Sequence, residues 1–442
     1  MSPTFHSLRH HDYRLYWLGM LVSNVGTWMQ RVAQDWLVLV VLDAGAASLG
    51  VTTGLHFLPF LLVAPVGGLL ADRFPKHHLL KATNAFLGSV GLTLGVLVLT
   101  GSVEVWHVYV LAFLLGVGAA LDNPARQAFV SELVKPDELT NAVALNSASF
   151  NGARLLGPAA AGLLIAAVGT GWVFIINGLS FAAPVVALFL LRRTITTPPR
   201  EAEDDGPLAR LAEGVRYVRG RPDLLMLMGI MFCVGTFGMN FQMTSALMAS
   251  EVFGKGPSEY GVLGSIMAVG TLTGALVAAR RRGVPRRRLV VLGAVAFGAM
   301  EIVAGLMPTY EAFAVSLVPM GIAAMTVLTA ANAFVQNTVP KRVRGRVMSL
   351  YVMVLLGGTP VGAPVIGQVA DLLGARWSLL GGGGLTVAGA VLLTLAMARR
   401  AGLLVRPRLL PLPGITVQAL PPPPSPVPSA DRTVPAVADR QR

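Results

Sequence analysis

Long apolar segments alternate with short polar loops over most of the chain. An α-helix needs about 20 apolar residues to cross the hydrocarbon core of a bilayer, and twelve segments have this character. They cover residues 13–42, 48–71, 79–100, 105–127, 139–168, 171–191, 223–251, 258–280, 289–308, 311–337, 344–373 and 376–398. The pattern predicts an all-α membrane protein with twelve transmembrane helices, which are called spans 1 to 12 below.

The second half of the chain repeats the first. Gly157 recurs as Gly362, and Trp172 recurs as Trp377 at the same spacing. In membrane transporters built from repeated halves, the substrate site lies at the interface between the halves. We therefore predict two six-helix bundles related by an internal repeat, and transport is the leading functional class.

A long polar interruption at residues 192–222 separates a predicted N-terminal bundle, residues 1–191, from a C-terminal bundle, residues 223–400. Apolar residues at helical spacing inside this linker predict a short amphipathic helix on the cytoplasmic membrane surface. Residues 401–442 are rich in proline, and we predict that this tail is disordered or polyproline-like.

The placement of basic residues predicts the orientation. The net charge is +13, yet nearly all Lys and Arg lie in the terminal segments, the linker and the loops after even-numbered spans. Lys255 and Arg376 lie in the opposite loops. By the positive-inside rule, both termini are predicted to be cytoplasmic. The basic run at 280–288 is then interpreted as a topology anchor that contacts lipid phosphates, and not as a nucleic-acid site.

The sequence contains little that points to an enzyme. Cys233 is the only cysteine, so neither an intrachain disulfide nor a cysteine metal cluster is expected. No phosphate-binding loop, His-Glu-x-x-His zinc motif or Gly-x-Ser-x-Gly nucleophile turn is present in the sequence. We therefore expect no catalytic site, no metal site, no cofactor and no ATP hydrolysis by this chain.

The loop between spans 2 and 3, residues 68–78, contains Gly68, Asp72 and Arg73 ahead of a basic cluster. This order resembles the cytoplasmic loop signature of the major facilitator superfamily. The resemblance implies a gating role for these residues, with Arg126 in span 4 as the latch partner of Asp72. The alternative is a charged loop that only sets topology. The corresponding loop of the second half has no acid at the matching position, so a symmetric pair of latches is not expected.

Span 5 has a dense run of small residues at 153–162 that includes Gly157 and Pro158. The run resembles the antiporter signature of exporters in this superfamily, although such runs also serve as plain packing faces. The stretches 29–39, 121–129 and 141–147 resemble the branch that contains the bacterial enterobactin exporter and related drug-efflux proteins. That resemblance implies an exporter in the bacterial cytoplasmic membrane, driven by the proton gradient.

Ionisable residues inside spans are costly and need a partner, water or a function. Arg31 and Asp35 lie one helical turn apart on span 1 and either neutralise each other or couple transport to protons. Arg154 in span 5 is a candidate for the substrate cavity or for a static contact. Glu301 in span 9 is a weaker candidate for proton exchange. His56 in span 2 is interpreted as a packing residue or a cavity residue.

Uncharged polar side chains complete the candidate cavity. Asn240 and Gln242 in span 7 either bind substrate or hold helices together. Methionines in the same span offer deformable apolar surface for a varied cargo.

The prediction is a monomeric secondary transporter that exports a small apolar or amphipathic compound, such as a drug, natural product or siderophore, by proton antiport and alternating access. Its partners would be the substrate, protons and membrane lipids. A facilitator or importer of the same fold is the nearest alternative. A non-transporting receptor or a membrane enzyme is the alternative from another class.

Overall fold

A computed structural model gives the structure of the protein and describes residues 3–63, 70, 74–191, 207–281, 287–400, 403–408 and 414–419. The chain forms two compact units, Met1–Leu393 and Thr394–Arg442. Both predicted bundles fall almost wholly within the first unit. The boundaries predicted for the bundles and the linker stay predictions.

The first half begins with a short 3-10 helix, Pro3–Arg9, and continues as long helices. They are α1 (His11–Trp36), α2 (Gly45–Leu62), α3 (Lys76–Leu99), α4 (Val105–Leu133), α5 (Leu139–Val168), α6 (Thr170–Ser180) and α7 (Ala182–Phe189). Helices α6 and α7 together form one continuous candidate membrane span.

The second half follows the linker helix α8 (Pro207–Arg219). Its helices are α9 (Pro222–Cys233), α10 (Phe241–Leu247), α11 (Pro257–Ala279), α12 (Arg287–Gly305), α13 (Tyr310–Thr338), α14 (Lys341–Gly357), α15 (Thr359–Leu373) and α16 (Ala375–Arg400). Helices α9 and α10 share one candidate span, and α14 and α15 share another.

Equivalent glycines end equivalent helices in the two halves. Gly169 closes α5 with φ of 82°, and Gly374 closes α15 with φ of 97°. A residue with a Cβ atom rarely adopts this left-handed region, so glycine at both positions allows the chain to turn directly into the next helix. The turns reproduce in backbone conformation the repeat seen in the sequence.

Eleven helical segments of the described residues are long and apolar enough to cross a membrane. Helix α1 has 26 residues but is not among the eleven, since polar and charged residues such as Gln30, Arg31 and Asp35 dilute its apolar character. It packs against α5 and α6 in the interior of the first half. The all-helical prediction is therefore confirmed for the membrane part of the chain, and the twelfth span stays a prediction.

The most extensive contacts between the halves are formed by two helix pairs: α2 packs along α15, and α5 packs along α11. The sequence repeat exchanges these two pairs. The seams between the halves are tight because glycines face backbone atoms. A methyl group added at Gly50 would overlap the carbonyl of Ala363, and one at Gly162 would overlap the carbonyl of Pro257.

The predicted amphipathic linker helix is present as α8. It packs against α14 of the second half, where Glu213 forms an ion pair with Arg346. Gly214 lies close to the backbone of Arg346. The linker helix is thus attached to the second half, whereas its predicted position on the membrane surface stays a prediction.

Two short strands, β1 (Leu403–Arg408) and β2 (Gly414–Ala419), pair antiparallel within the second unit. They lie inside the tail that the sequence predicted to be disordered or polyproline-like. The structure differs from that prediction at these two stretches. Both contain Leu, Ile or Val, which favour extended backbone over the polyproline conformation.

Candidate functional site

A buried carboxyl group of the first half bonds to the second half. The hydroxyl group of Tyr260, in the first turn of α11, donates a 2.7 Å hydrogen bond to Oδ2 of Asp35 near the end of α1. Asp35 is 7% exposed and Tyr260 is 2% exposed. The ring of Tyr260 also stacks on the ring of Trp36, with centroids 6.1 Å apart. The contact therefore links the two halves through a group that can lose and regain a proton.

Arg31 does not form the predicted ion pair with Asp35. Among the described residues, no nitrogen of Arg31 lies within ion-pair distance of that carboxylate, although the charge of Asp35 still acts on it. The Arg31 guanidinium instead lies 5.0 Å from the ring centre of Trp28 and 5.8 Å from that of Phe57. Its Nε is buried without a hydrogen-bond partner. The two side chains therefore form no direct ion pair in the structure, and the carboxylate bonds to Tyr260 instead.

Arg154 and His56 lie beside the same group of side chains. Arg154 places its guanidinium 5.5 Å from the ring centre of Trp28, so two arginines from different helices share one indole. His56 is half-buried, its buried Nε2 has no hydrogen-bond partner among the described residues, and the charge of Arg31 acts on it. Cations stacked on an aromatic ring retain donors for another acceptor. The predicted residues of spans 1, 2 and 5 therefore form one site.

The predicted residues of span 7 divide between two places. The backbone carbonyl of Gln242 lies 3.3 Å from the Tyr260 hydroxyl, and its side chain lies beside Asp35. Asn240 points elsewhere, because its amide donates to the carbonyls of Thr236 and Phe237 in its own helix. Asn240 is thus a helix-stabilising residue in this structure, while Gln242 belongs to the Asp35 site.

Glu301 lies apart from the Asp35 site, inside the second half. Its side chain is 3% exposed, and its Oε2 has no hydrogen-bond partner. A methyl group added at Gly238 would lie 3.1 Å from that oxygen and 3.2 Å from Oγ1 of Thr386. Glu301 therefore contacts spans 7 and 12 and is not brought together with Arg31, Asp35 and Arg154.

Spans 1 and 7 both contain π-helical turns next to the site. One covers Leu37–Val41, directly after Asp35, and two others cover Val234–Gly238 and Met248–Val252, on either side of Gln242. Such turns are rare and often occur at functional sites.

The structure describes only part of the predicted gating loop. Gly68, Asp72 and Arg73 lie outside the described residues. Arg126, the predicted partner of Asp72, bonds through Nε to Oδ2 of Asp122 at 2.8 Å and through Nη1 to Asn24 at 3.2 Å.

Asp122 anchors a network that sequence reasoning missed. It is 0% exposed and also accepts hydrogen bonds from Thr83 at 2.8 Å and Asn84 at 2.9 Å. Arg126 and Asn24 complete the network, which thereby joins α1, α3 and α4. The i,i+4 spacing of Asp122 and Arg126 was a signal that was available in the sequence.

Gly157 and Pro158 of the small-residue run form contacts between helices. A methyl group added at Gly157 would lie 2.6 Å from Cβ of Trp28, so the glycine leaves room for the indole shared by the arginines. Pro158 lies against Gly261 and Gly264 of α11. The run therefore packs α5 against both α1 and α11 in this structure, while the gating role of Gly157 and Pro158 stays a prediction.

Comparison with known proteins identifies the family. Residues 2–407 match the family model described as "Transmembrane secretion effector". The chain belongs to this family of the major facilitator superfamily. Its members and structural relatives are transporters and not enzymes. The predicted resemblance to the superfamily, including its efflux branch, is confirmed.

Sequences of relatives and a solved structure of similar fold align with most of this chain. The multidrug efflux pump Tap of Mycolicibacterium fortuitum is 27% identical, covering 81% of this chain and 89% of the relative. The enterobactin exporter EntS of Shigella flexneri is 25% identical, covering 88% and 93%. A bacterial homologue of the human lysosomal transporter Spinster, solved inward-facing and unoccupied, has the same fold, with a TM-score of 0.65 at 18% identity over 90% of this chain and 96% of that one.

Proposed function

We propose that the chain is a secondary active exporter of small apolar or amphipathic compounds, driven by proton antiport. The observation that carries the proposal is the hydrogen bond from Tyr260 to Asp35. It places a buried titratable group on the seam that alternating access has to open. A change in the proton content of Asp35 and a change in the contact between halves are then linked in free energy.

The chemistry of the site suggests how the linkage works. Ionised Asp35 accepts the Tyr260 hydroxyl and keeps the halves together at this level. Protonated Asp35 gives up its negative charge and becomes a hydrogen-bond donor. The contact to Tyr260 weakens, and Arg31 loses the negative charge that acts on it. Proton uptake therefore favours separation of the halves, and the cargo leaves on the side from which the proton came.

The side chains around Arg31 suggest the kind of cargo. Trp28 and Phe57 offer aromatic surface, and Arg31 and Arg154 offer donors beside it. This combination suits an amphipathic molecule with an aromatic body and a carboxylate or phenolate group. Relatives named for multidrug, macrolide and siderophore transport support export of such compounds.

The orientation of the protein in the membrane is also part of the proposal. We propose that α1 is a twelfth span, that both termini lie in the cytoplasm of a bacterial cell, and that the protein acts as a monomer in the cytoplasmic membrane. The end of the helix assembly that carries Gly45 and Asp371 then faces outward, and the end that carries Arg126 faces inward. The excess of Lys and Arg in the loops at the Arg126 end supports this assignment.

Cysteine labelling checks the orientation. In a Cys233→Ala background, a cysteine at exposed Ser102 is expected to react with a membrane-impermeant maleimide in intact cells. A cysteine at exposed Lys135 is expected to react only after the membrane is permeabilised. Reaction of position 135 from outside, at the rate of position 102, would contradict the proposed orientation.

Everted vesicles test the transport mechanism. With a proton gradient that is acid inside, vesicles containing the protein are expected to accumulate a fluorescent amphipathic dye, and nigericin is expected to release it by collapsing the pH gradient. Vesicles without the protein serve as the control. A facilitator would only equilibrate the dye, and an importer would accumulate it in right-side-out vesicles. Neither a receptor nor an enzyme would move it. Accumulation that survives nigericin would contradict proton antiport.

A further inference from the structure

The first turn of α2 is capped by the other half of the protein. Oδ1 of Asp371, near the end of α15, accepts a 2.7 Å hydrogen bond from the backbone N–H of Ala46, and Oδ2 accepts one of 2.9 Å from Ala47. The first N–H groups of a helix have no partner within the helix and carry partial positive charge. The residue before α2 is Ala44, which provides no side-chain cap. Asp371 of the second half therefore provides the side-chain hydrogen-bond acceptor that the start of α2 lacks.

This contact lies at the outer end of a tight seam. Below it, a methyl group added at Gly367 would overlap the carbonyl of Ala46 and lie 3.1 Å from Cα of Ala47. Gly50 faces the backbone of Ala363 and Pro364 in the same way. The two helices thus touch backbone to backbone, and they cannot separate at this end without breaking both hydrogen bonds of Asp371.

The other seam has no acid at the corresponding place. The repeat relates Gly157 to Gly362 and Gly169 to Gly374. At the same spacing, Ala166 of the first half corresponds to Asp371. At that seam Gly162 of α5 contacts Pro257 and Ser258 of α11 by packing alone. Among the described residues, an acid of the paired helix thus caps the N-terminus of α2 at the first seam, and α5 provides no such acid at the second.

Asp371 is also suited to reversible contact. Its side chain is exposed, so water replaces the two N–H donors when the helices part. A fully buried carboxylate would pay a much larger cost for losing its partners. The contact is thus strong enough to bias a conformational equilibrium without locking it.

We propose that Asp371 is a latch that holds the outer end of the transporter closed by capping α2 from the opposite half. The proposal rests on the proposed alternating access and adds to it the residue that sets how readily the outward-open state forms. In that state the Asp371 contacts are broken, while the Asp35 site becomes accessible from outside. Asp371 acts through position and charge and does not touch the cargo.

The experiment measures the distance between halves directly, so that it does not depend on transport. Spin labels are placed at Ser102 and Pro308, which are exposed in loops of the first and second half, in the full-length Cys233→Ala protein reconstituted in lipid nanodiscs. Double electron–electron resonance then gives the share of molecules with the longer distance. Asp371→Ala removes hydrogen bonds to a charged group, which stabilise the closed state. We therefore expect it to raise the ratio of open to closed molecules about tenfold. Asp371→Asn, which keeps an acceptor but loses the charge, is expected to give a smaller rise.

Glu251 provides a matched control. It lies close enough to Asp371 for the two charges to interact, but it accepts no hydrogen bond from α2 among the described residues. Glu251→Gln is expected to leave the distance distribution closed. An unchanged distribution in Asp371→Ala, or an equal rise in Glu251→Gln, would overturn the latch. If Asp371→Ala shifts the distances as expected but everted vesicles do not accumulate dye, the proposed export function is contradicted while the latch is supported.

Discussion

Replacing Asp35 with asparagine is expected to abolish uphill export while leaving downhill exchange in place. Asparagine keeps the shape of the side chain and an acceptor for Tyr260, but it cannot take up a proton. The hydrogen bond between halves then no longer depends on the proton gradient. In everted vesicles, the variant is expected to bring the dye only to equilibrium, and its counterflow exchange is expected to persist. The measurement is dye accumulation against time at matched expression.

Tyr260→Phe is the matched variant for this prediction. It removes the hydroxyl that bonds Asp35 but keeps the ring that stacks on Trp36. We expect it to accumulate less dye at the same pH gradient, because Asp35 still titrates but its protonation no longer weakens a hydrogen bond between the halves. Unchanged uphill export with unchanged pH dependence in Asp35→Asn would make Asp35 a structural residue. Glu301, which is buried with one oxygen unpartnered, would then be the acid to test.

Replacing Gly162 with valine is expected to abolish transport by preventing closure of the outer end. The new side chain would overlap the carbonyl of Pro257 and lie 3.0 Å from Cα of Ser258, and backbone atoms cannot move aside as a flexible side chain can. The seam between α5 and α11 would be wedged open. The same spin-label distances between Ser102 and Pro308 are expected to shift almost entirely to the longer value.

Gly152→Val is the control on the same helix. A methyl group at Gly152 would meet no atom within 4 Å, so the substitution changes helix propensity without touching the second half. Normal transport in Gly152→Val together with loss in Gly162→Val would assign the effect to the seam. Normal transport in both variants would show that the outer end does not need this close approach.

The sequence predicted those parts of the structure that follow from local pattern. Apolar runs of sufficient length predict helices whatever surrounds them, and the repeated glycines end helices at the expected places, as Gly169 and Gly374 do. The charges that are costly in a membrane lie close together in the structure, and their roles in transport stay a prediction. Arg31, Asp35 and Arg154 lie in one site because spans 1 and 5 pack together.

Long-range partners could not be predicted in the same way. Nothing near Tyr260 in the sequence distinguishes it from other tyrosines, and its role depends on α11 crossing α1 at the level of Asp35. The same holds for Asp371, which is an acid near the end of a predicted span until the fold places α2 beside it. Arg31 and Asp35 lie one helical turn apart, so their spacing alone could not show that Asp35 bonds to Tyr260, which is distant in sequence and close in space.

The dependence of α1 on the rest of the protein has a consequence for biosynthesis. Helix α1 leaves the ribosome before its partners, yet it is not apolar enough to count among the eleven candidate spans and carries Arg31 and Asp35, each of which costs about 2.5 to 3.5 kcal/mol to insert on translocon scales. Its helical partners α5 and α6 emerge later, and Tyr260 emerges only after more than half of the chain has been made. Helix α1 is thus secured in the bilayer only after later helices have been made, and a polypeptide truncated before α11 would leave Asp35 without the Tyr260 hydroxyl.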